Sequence, residues 1–171
     1  MFAQSKVFTK NHLFIQINDS TTAFLSGSND HQGILTFDWT TMEYTKHSSQ
    51  LSGDRRYSAC ALLKGENGES LVAVASGLSA GLEVWNPVDG SVKNLTLDFP
   101  LASEGSRTPK MISIGDGSEL IFYESIFTGD PIKGIWKYHL SNNTWTKLGE
   151  MIEGRDDFVV LPVEDVSCPS N

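Results

Sequence analysis

Three stretches of this chain hold one register: GILTFDWTTMEYTKH from Gly33, GLEVWNPVDGSVKNL from Gly81 and GIWKYHLSNNTWTKL from Gly134. In each, Ile or Leu follows the glycine. Four residues after the glycine stands an aromatic (Phe37, Trp85, Tyr138), and seven further on a second large apolar residue (Tyr44, Val92, Trp145). Three beyond that come His47, Leu95 and Leu148. The steps are 48 residues from Gly33 to Gly81 and 53 from Gly81 to Gly134. Each stretch follows a short apolar run, TTAFLSG from Thr21, SLVAVASG from Ser70 and SELIFYES from Ser118, and each of those follows another: HLFIQI, YSACALL and KMISI. A further copy of the earliest element, DFVVLPV from Asp157, stands near the end of the chain. A register held by so many landmarks restricts the fold to repetition of one unit.

The content of the unit follows from its residues. Runs of five to seven residues rich in Val, Ile, Leu, Phe and Tyr, bounded by Gly, Asn, Asp or Pro, are strands. NPVDG (Asn86 to Gly90) and LSNN (Leu140 to Asn143) supply turns, since Pro presets φ and Asn, Asp or Gly tolerates the left-handed region. No segment carries a 3.6-residue apolar period, so helix is not expected. Each unit is therefore four antiparallel strands. A sheet that small cannot bury both faces alone, and stacking such sheets face to face solves the problem. Four strands in about 50 residues is the dimension of a β-propeller blade.

At this point the chain resembles kelch repeats. Tyr138 and Trp145 match the family's aromatic pair, with Asn143 at the polar turn; Trp85 and Phe37 stand at the Tyr position of the other units, and Val92 and Tyr44 at the Trp position. The family's glycine doublet is reduced to Ser76-Gly77 and Ser26-Gly27 and is replaced by Tyr123-Glu124 in the third unit. Arg56, Arg107 and Arg155 precede first strands, as the family often shows. The resemblance implies an all-β fold of kelch-type propeller blades at about 10–50, 54–98 and 107–149, an extra C-terminal closing strand at 155–163 and a tail at 164–171. Three blades and one strand form an incomplete ring, since closed propellers have about four to eight blades. Missing blades or self-association would complete it. The repeated aromatics are expected to fill the wedge between sheets; Trp39 and Trp136 stand outside the register, and for them packing and ligand contact are both open.

Composition narrows the partners. A net charge of −8 and a pI near 4.9 argue against nucleic acid and anionic membrane, which require basic patches. No apolar run approaches the ~20 residues of a membrane span, and the opening MFAQSKVFTKNHLF does not read as a signal peptide. The expected setting is soluble, either cytoplasmic or secreted; the sequons at Asn18, Asn94 and Asn142 lean slightly to the latter. Cys60 reads as a buried free thiol, and Cys168 as part of a polar tail; their separation gives neither a metal site nor a disulfide framework.

Catalytic chemistry is not evident. No phosphate-binding loop or G-x-S-x-G elbow occurs, and Asp30, His31 and Gln32 are loop neighbours without further ligands. No cofactor is expected. The resemblance implies a protein-interaction module that presents loops to a protein or peptide, often through arginines; a fragment of a propeller enzyme acting on carbohydrate is the alternative. The loops joining second to third strands and those between blades emerge at one end of such a ring, and rigid strands presenting variable loops commonly carry binding sites. Candidate partner-binding residues there are Arg55, Arg56, Arg107 and Arg155, with Asp30, His31 and Phe127 from the long loops. For each arginine, an ion pair that caps a strand is the competing role.

Overall fold

The computed structural model describes residues 13–25, 33–52, 55, 58–75, 81–95, 109–123 and 134–151. These residues contain twelve strands and no helix. The first sheet comprises β1 (Leu13–Gln16), β2 (Thr21–Leu25), β3 (Gly33–Asp38) and β4 (Glu43–Gln50). The second comprises β5 (Ala59–Lys64), β6 (Ser70–Ala75), β7 (Leu82–Trp85) and β8 (Val92–Asn94). The third comprises β9 (Lys110–Ile114), β10 (Glu119–Tyr123), β11 (Gly134–His139) and β12 (Thr144–Glu150). Each sheet is an antiparallel meander in sequence order. The described residues thus form three propeller-like blades of an incomplete ring, with no closed barrel. The expected strand at 155–163 lies outside the described residues. Among the described residues no helix is long and apolar enough to cross a membrane.

The blades converge on their first strands: β5 lies against both β1 and β9. The fourth strands face outward, and β4 and β12 are mostly exposed. The hydrogen-bonded register then sorts every side chain onto one of two faces, because strand side chains alternate. In the second blade, Ala59 pairs with Ala75, Ala61 with Ala73, Ala73 with Val84 and Ala75 with Leu82, which defines a rear face toward the third blade. Cys60 pairs with Val74, Leu62 with Val72, Val72 with Trp85 and Trp85 with Val92, which defines a front face toward the first blade.

Two cores result, one per seam. Between blades one and two, Ile17, Ala23, Leu25, Ile34 and Leu51 pack with Val72, Val74 and Trp85. Between blades two and three, Ala59, Ala61, Leu63, Ala73, Ala75, Leu82 and Val84 pack with Met111, Leu120, Phe122 and Tyr138. The aromatic four residues after the repeat glycine therefore faces the preceding blade: Trp85 and Tyr138 are both 0% exposed. Trp145 packs partly buried at the edge of the same core as Tyr138, their ring centroids 5.0 Å apart. The wedge-filling expectation holds for all three.

The turn between third and fourth strands repeats in backbone as well as position. Nine residues after each repeat glycine the chain enters the left-handed region, at Met42 (φ 60°), Gly90 (φ 74°) and Asn143 (φ 52°). Gly and Asn adopt that conformation at little cost, whereas Met does not. Asp38 and Asn86, at matching positions, accept hydrogen bonds from the Thr40 and Thr41 amides (2.7 and 3.0 Å) and from the Val88 amide (2.9 Å), which set the same turn.

Candidate functional site

Strand register separates the two ends of each blade. Leu13, Leu25 and Ile34 form one row, with Gly33 opposite Gln50; Ala59, Ala75 and Leu82 form the equivalent row, as do Lys110, Tyr123 and Ile135. At this end the strands are joined by 26–32, 51–58, 76–81, 95–109 and 124–133, which include the four connections of seven or more residues. The opposite end holds connections of four to six residues, at 17–20, 39–42, 65–69, 86–91, 115–118 and 140–143. Neighbouring blades share the polarity: the Lys64 amide donates to the Gly117 carbonyl at 2.8 Å at the tight-turn end. At the other, the Cys60 thiol lies 3.9 Å from the Phe14 carbonyl.

At the long-loop end the connection between blades one and two is tied down by a buried carboxylate. Glu83 is 1% exposed on the front face of β7, and Arg55 is equally buried. Arg55 donates from Nε (3.0 Å) and Nη2 (2.6 Å) to Glu83 Oε2, and from Nη1 to the Gly81 carbonyl at 3.4 Å. The Ser52 amide donates to both oxygens of Glu83, at 2.9 and 3.1 Å. Leu51 enters the seam core beside them, and the Ser58 amide donates to the Arg55 carbonyl at 3.2 Å. A charge so deep is tolerated only when paired and hydrogen-bonded, and here the pairing also fixes the path of the chain.

Of the seven candidate partner-binding residues, Arg55 alone lies among the described residues; Arg56, Arg107, Arg155, Asp30, His31 and Phe127 lie outside them. Arg55 points inward, so it supports the loop-bearing end from beneath. Sequence reasoning missed Glu83. The available signal was a lone acid in the otherwise apolar GLEVW, at a register position held by Leu35 and Trp136 in the other units.

A cleft of about 380 Å³ opens at the tight-turn end of the first seam, lined by Ile17, Asn18, Thr21, Thr36, His47, Ser70, Pro87 and Val88. The His47 Nε2 and Thr36 Oγ1 atoms share a 3.0 Å hydrogen bond, and the imidazole meets the Trp85 ring edge-on with centroids 5.0 Å apart. Burial holds the His47 pKa below the ordinary imidazole value. Among the described residues no group of three or more His, Cys, Asp or Glu side chains is arranged to hold a metal. Cys60 is half-buried rather than fully enclosed, yet burial pushes its thiol up to about 12, far from a reactive thiolate.

The two aromatics outside the register part ways. Trp136 is partly buried against the second seam, with Lys147 Nζ 5.9 Å from its ring centroid. Trp39 is 56% exposed, donating its indole N–H to Thr22 Oγ1 at 2.9 Å and meeting Phe37 edge-on.

No protein-family model matches the chain, and no curated protein sequence does.

Proposed function

We propose that the chain is a kelch-type interaction module that takes up a protein or peptide at the long-loop end of its blades and performs no catalysis of its own. The observation that carries this reading is the segregation of connections: the four segments of seven or more residues between described strands all join strand ends on one side, while the connections at the other end have four to six residues. Rigid sheets that pool their variable segments on one side create a surface whose composition can change without disturbing the core. The buried Arg55–Glu83 pair supports the reading, because it fixes the inter-blade segment next to the start of β7 and so reduces the ordering cost of binding there. Arg56, Arg107 and Arg155 are the cationic anchors in this reading, suited to carboxylate groups of a partner, with Asp30, His31 and Phe127 completing the surface.

The test compares the two ends. Replacing Arg56 and Arg155 with Ala is expected to weaken retention of a captured protein partner by about tenfold or more, the scale of one or two lost charge-assisted hydrogen bonds. Asp116→Ala, in a tight turn at the other end, is expected to leave retention unchanged. Equal retention by the arginine variant, with the fold kept, overturns the assignment of this end.

A further inference from the structure

The three sequons put asparagines able to accept sugar on the side-chain amide nitrogen into three different settings. Asn94 lies in the strand ladder, on β8 opposite Glu83, and the Thr96 that completes its sequon lies outside the described residues. Asn18 stands exposed in the turn between β1 and β2. Its Oδ1 accepts from the Ser20 amide at 2.9 Å and from Ser20 Oγ at 3.3 Å, and the residue between the two is Asp19. Asn142 stands exposed in the turn between β11 and β12, with Thr144 exposed at the start of β12.

That second turn divides the work between two neighbouring asparagines. Asn143 has the left-handed φ of 52°, and its Oδ1 accepts from the Tyr138 hydroxyl at 2.9 Å, so its side chain closes the turn against the second seam. Asn142 takes no part in that closure. Its Oδ1 accepts from Thr144 Oγ1 at 2.7 Å, which brings together the amide and the hydroxyl that a sequon requires. Its Nδ2 has no hydrogen bond among the described residues.

Charge then separates the two turn sequons. The sugar donor for this modification is a lipid-linked pyrophosphate, which is anionic. Asp19 sets a carboxylate directly beside Asn18, and like charges brought close disfavour the encounter. From Leu140 to Thr146 no side chain is ionisable at neutral pH. The Asn142 turn is thus exposed, neutral and already in contact with its own hydroxyl.

We propose that Asn142 is the acceptor of an N-linked oligosaccharide. Nδ2 attacks the anomeric carbon of a lipid-linked oligosaccharyl pyrophosphate in the secretory lumen. The N–C bond forms as the C–O bond to the pyrophosphate breaks. The lipid pyrophosphate leaves with the bonding electron pair, the amide proton passes to a carboxylate of the transferase, and nothing is oxidised or reduced. This selects the secreted one of the two settings considered from the sequence. An oxidising lumen suits the described residues, whose one cysteine, Cys60, is held as a thiol by burial. Asn142 belongs to neither seam core, so a bulky hydrated chain attached there leaves the packing between blades intact. The attachment point lies at the end of the third blade opposite its long connections.

Peptide mapping of the full chain, isolated from the cells that make it naturally, is the test. Enzymatic deglycosylation in heavy-oxygen water leaves a mass tag on each asparagine that carried sugar. Asn142 is expected to be tagged in most molecules. An untagged Asn142 overturns the inference, as does an occupancy of Asn18 equal to or above that of Asn142. Variants of the full chain are then expressed behind a secretion leader. Asn142→Gln is expected to lower the mass of the chain by one oligosaccharide. Thr144→Ala, which keeps the amide and removes the hydroxyl, is expected to do the same, and sugar retained on Asn142 in that variant overturns the acceptor geometry on which the assignment rests. These outcomes are independent of the partner-retention test at the long-loop end.

Discussion

The two seams between blades share one register yet are filled differently. In the first, both faces carry bulk: Leu13, Ile15, Leu25 and Ile34 of blade one meet Leu62, Val72, Val74 and Trp85 of blade two. In the second, the first two strands of the rear face contribute Ala59, Ala61, Ala73 and Ala75, and most of the bulk lies opposite in Met111, Phe122, Tyr138 and Trp145. The second seam reaches close packing by trading volume across the gap, so neither sheet alone determines that core. The seams differ in polarity too. The first encloses Arg55 and Glu83, and half-buried His47 borders it against Trp85. At the position of His47, the second has Leu95, and Tyr138 keeps its hydroxyl near the edge, donating to Asn143 Oδ1 at 2.9 Å. The first seam therefore depends on electrostatic pairing where the second depends on shape.

The largest break in that contrast comes from Glu83. Glu83→Ala removes the carboxylate that accepts from Arg55 Nε and Nη2 and from the Ser52 amide, and removing one member of a buried pair costs about 3–5 kcal/mol. The expected outcome is a loss of that size in denaturant unfolding. If stability falls by less than ~1 kcal/mol, the pair is not what secures the inter-blade segment. Replacing both partners with apolar residues of similar size, Arg55→Met with Glu83→Leu, is expected to recover most of the loss, since buried pairs are often replaceable in that way.

The volume trade supplies the next test. Ile15, Ala61 and Ile112 occupy one register position in the three blades. Ala61→Ile makes the second seam resemble the first on its rear face without removing anything opposite, so it overpacks the aromatic front of blade three and is expected to cost about 1–3 kcal/mol. Pairing it with Phe122→Leu, which returns volume, is expected to cost less than the sum of the single changes in a double-mutant cycle. Strict additivity would show that the two faces do not share one packing constraint.

Much of this architecture is readable before any coordinates. The period-two patterns place Trp85 and Tyr138 on one face of their strands, and the repeat then places both in wedges; the turn chemistry of Asn86 to Gly90 is equally explicit. What the repeat hides is where units depart from it. Met42 carries no turn signal of its own, and only alignment with Gly90 and Asn143 marks its left-handed φ. Glu83 stands out as an oddity in GLEVW, but its partner comes from a segment 28 residues earlier in the chain, and no local rule pairs them. Arg55 looks like a surface cation beside Arg56, and its burial depends on that distant carboxylate. The front of blade one, where Phe14 and Tyr44 are exposed and Phe37 is buried, has the same alternating apolar pattern as the other fronts, because periodicity records which residues share a face and says nothing of what covers it.

The smallest effect isolates the polarity difference itself. His47 is held neutral by burial, with a folded pKa below the unfolded value near 6.5. Above that pH the imidazole is neutral in both states and contributes no pH dependence. As pH falls through 6.5, the unfolded chain takes up a proton that the folded seam resists, so the unfolded state binds more protons and stability declines. The decline ends once pH drops below the folded pKa, where both states are charged. His47→Leu gives the first seam the residue that the second has at Leu95, and it removes this term. The difference between the thermal midpoints of variant and parent is therefore expected to shift in the variant's favour between pH 7.5 and pH 5.5, a range chosen to bracket the ordinary imidazole value. A difference that is flat over that range would mean that His47 titrates alike in folded and unfolded chains, and that the first seam is wet enough to hydrate an imidazolium beside Trp85.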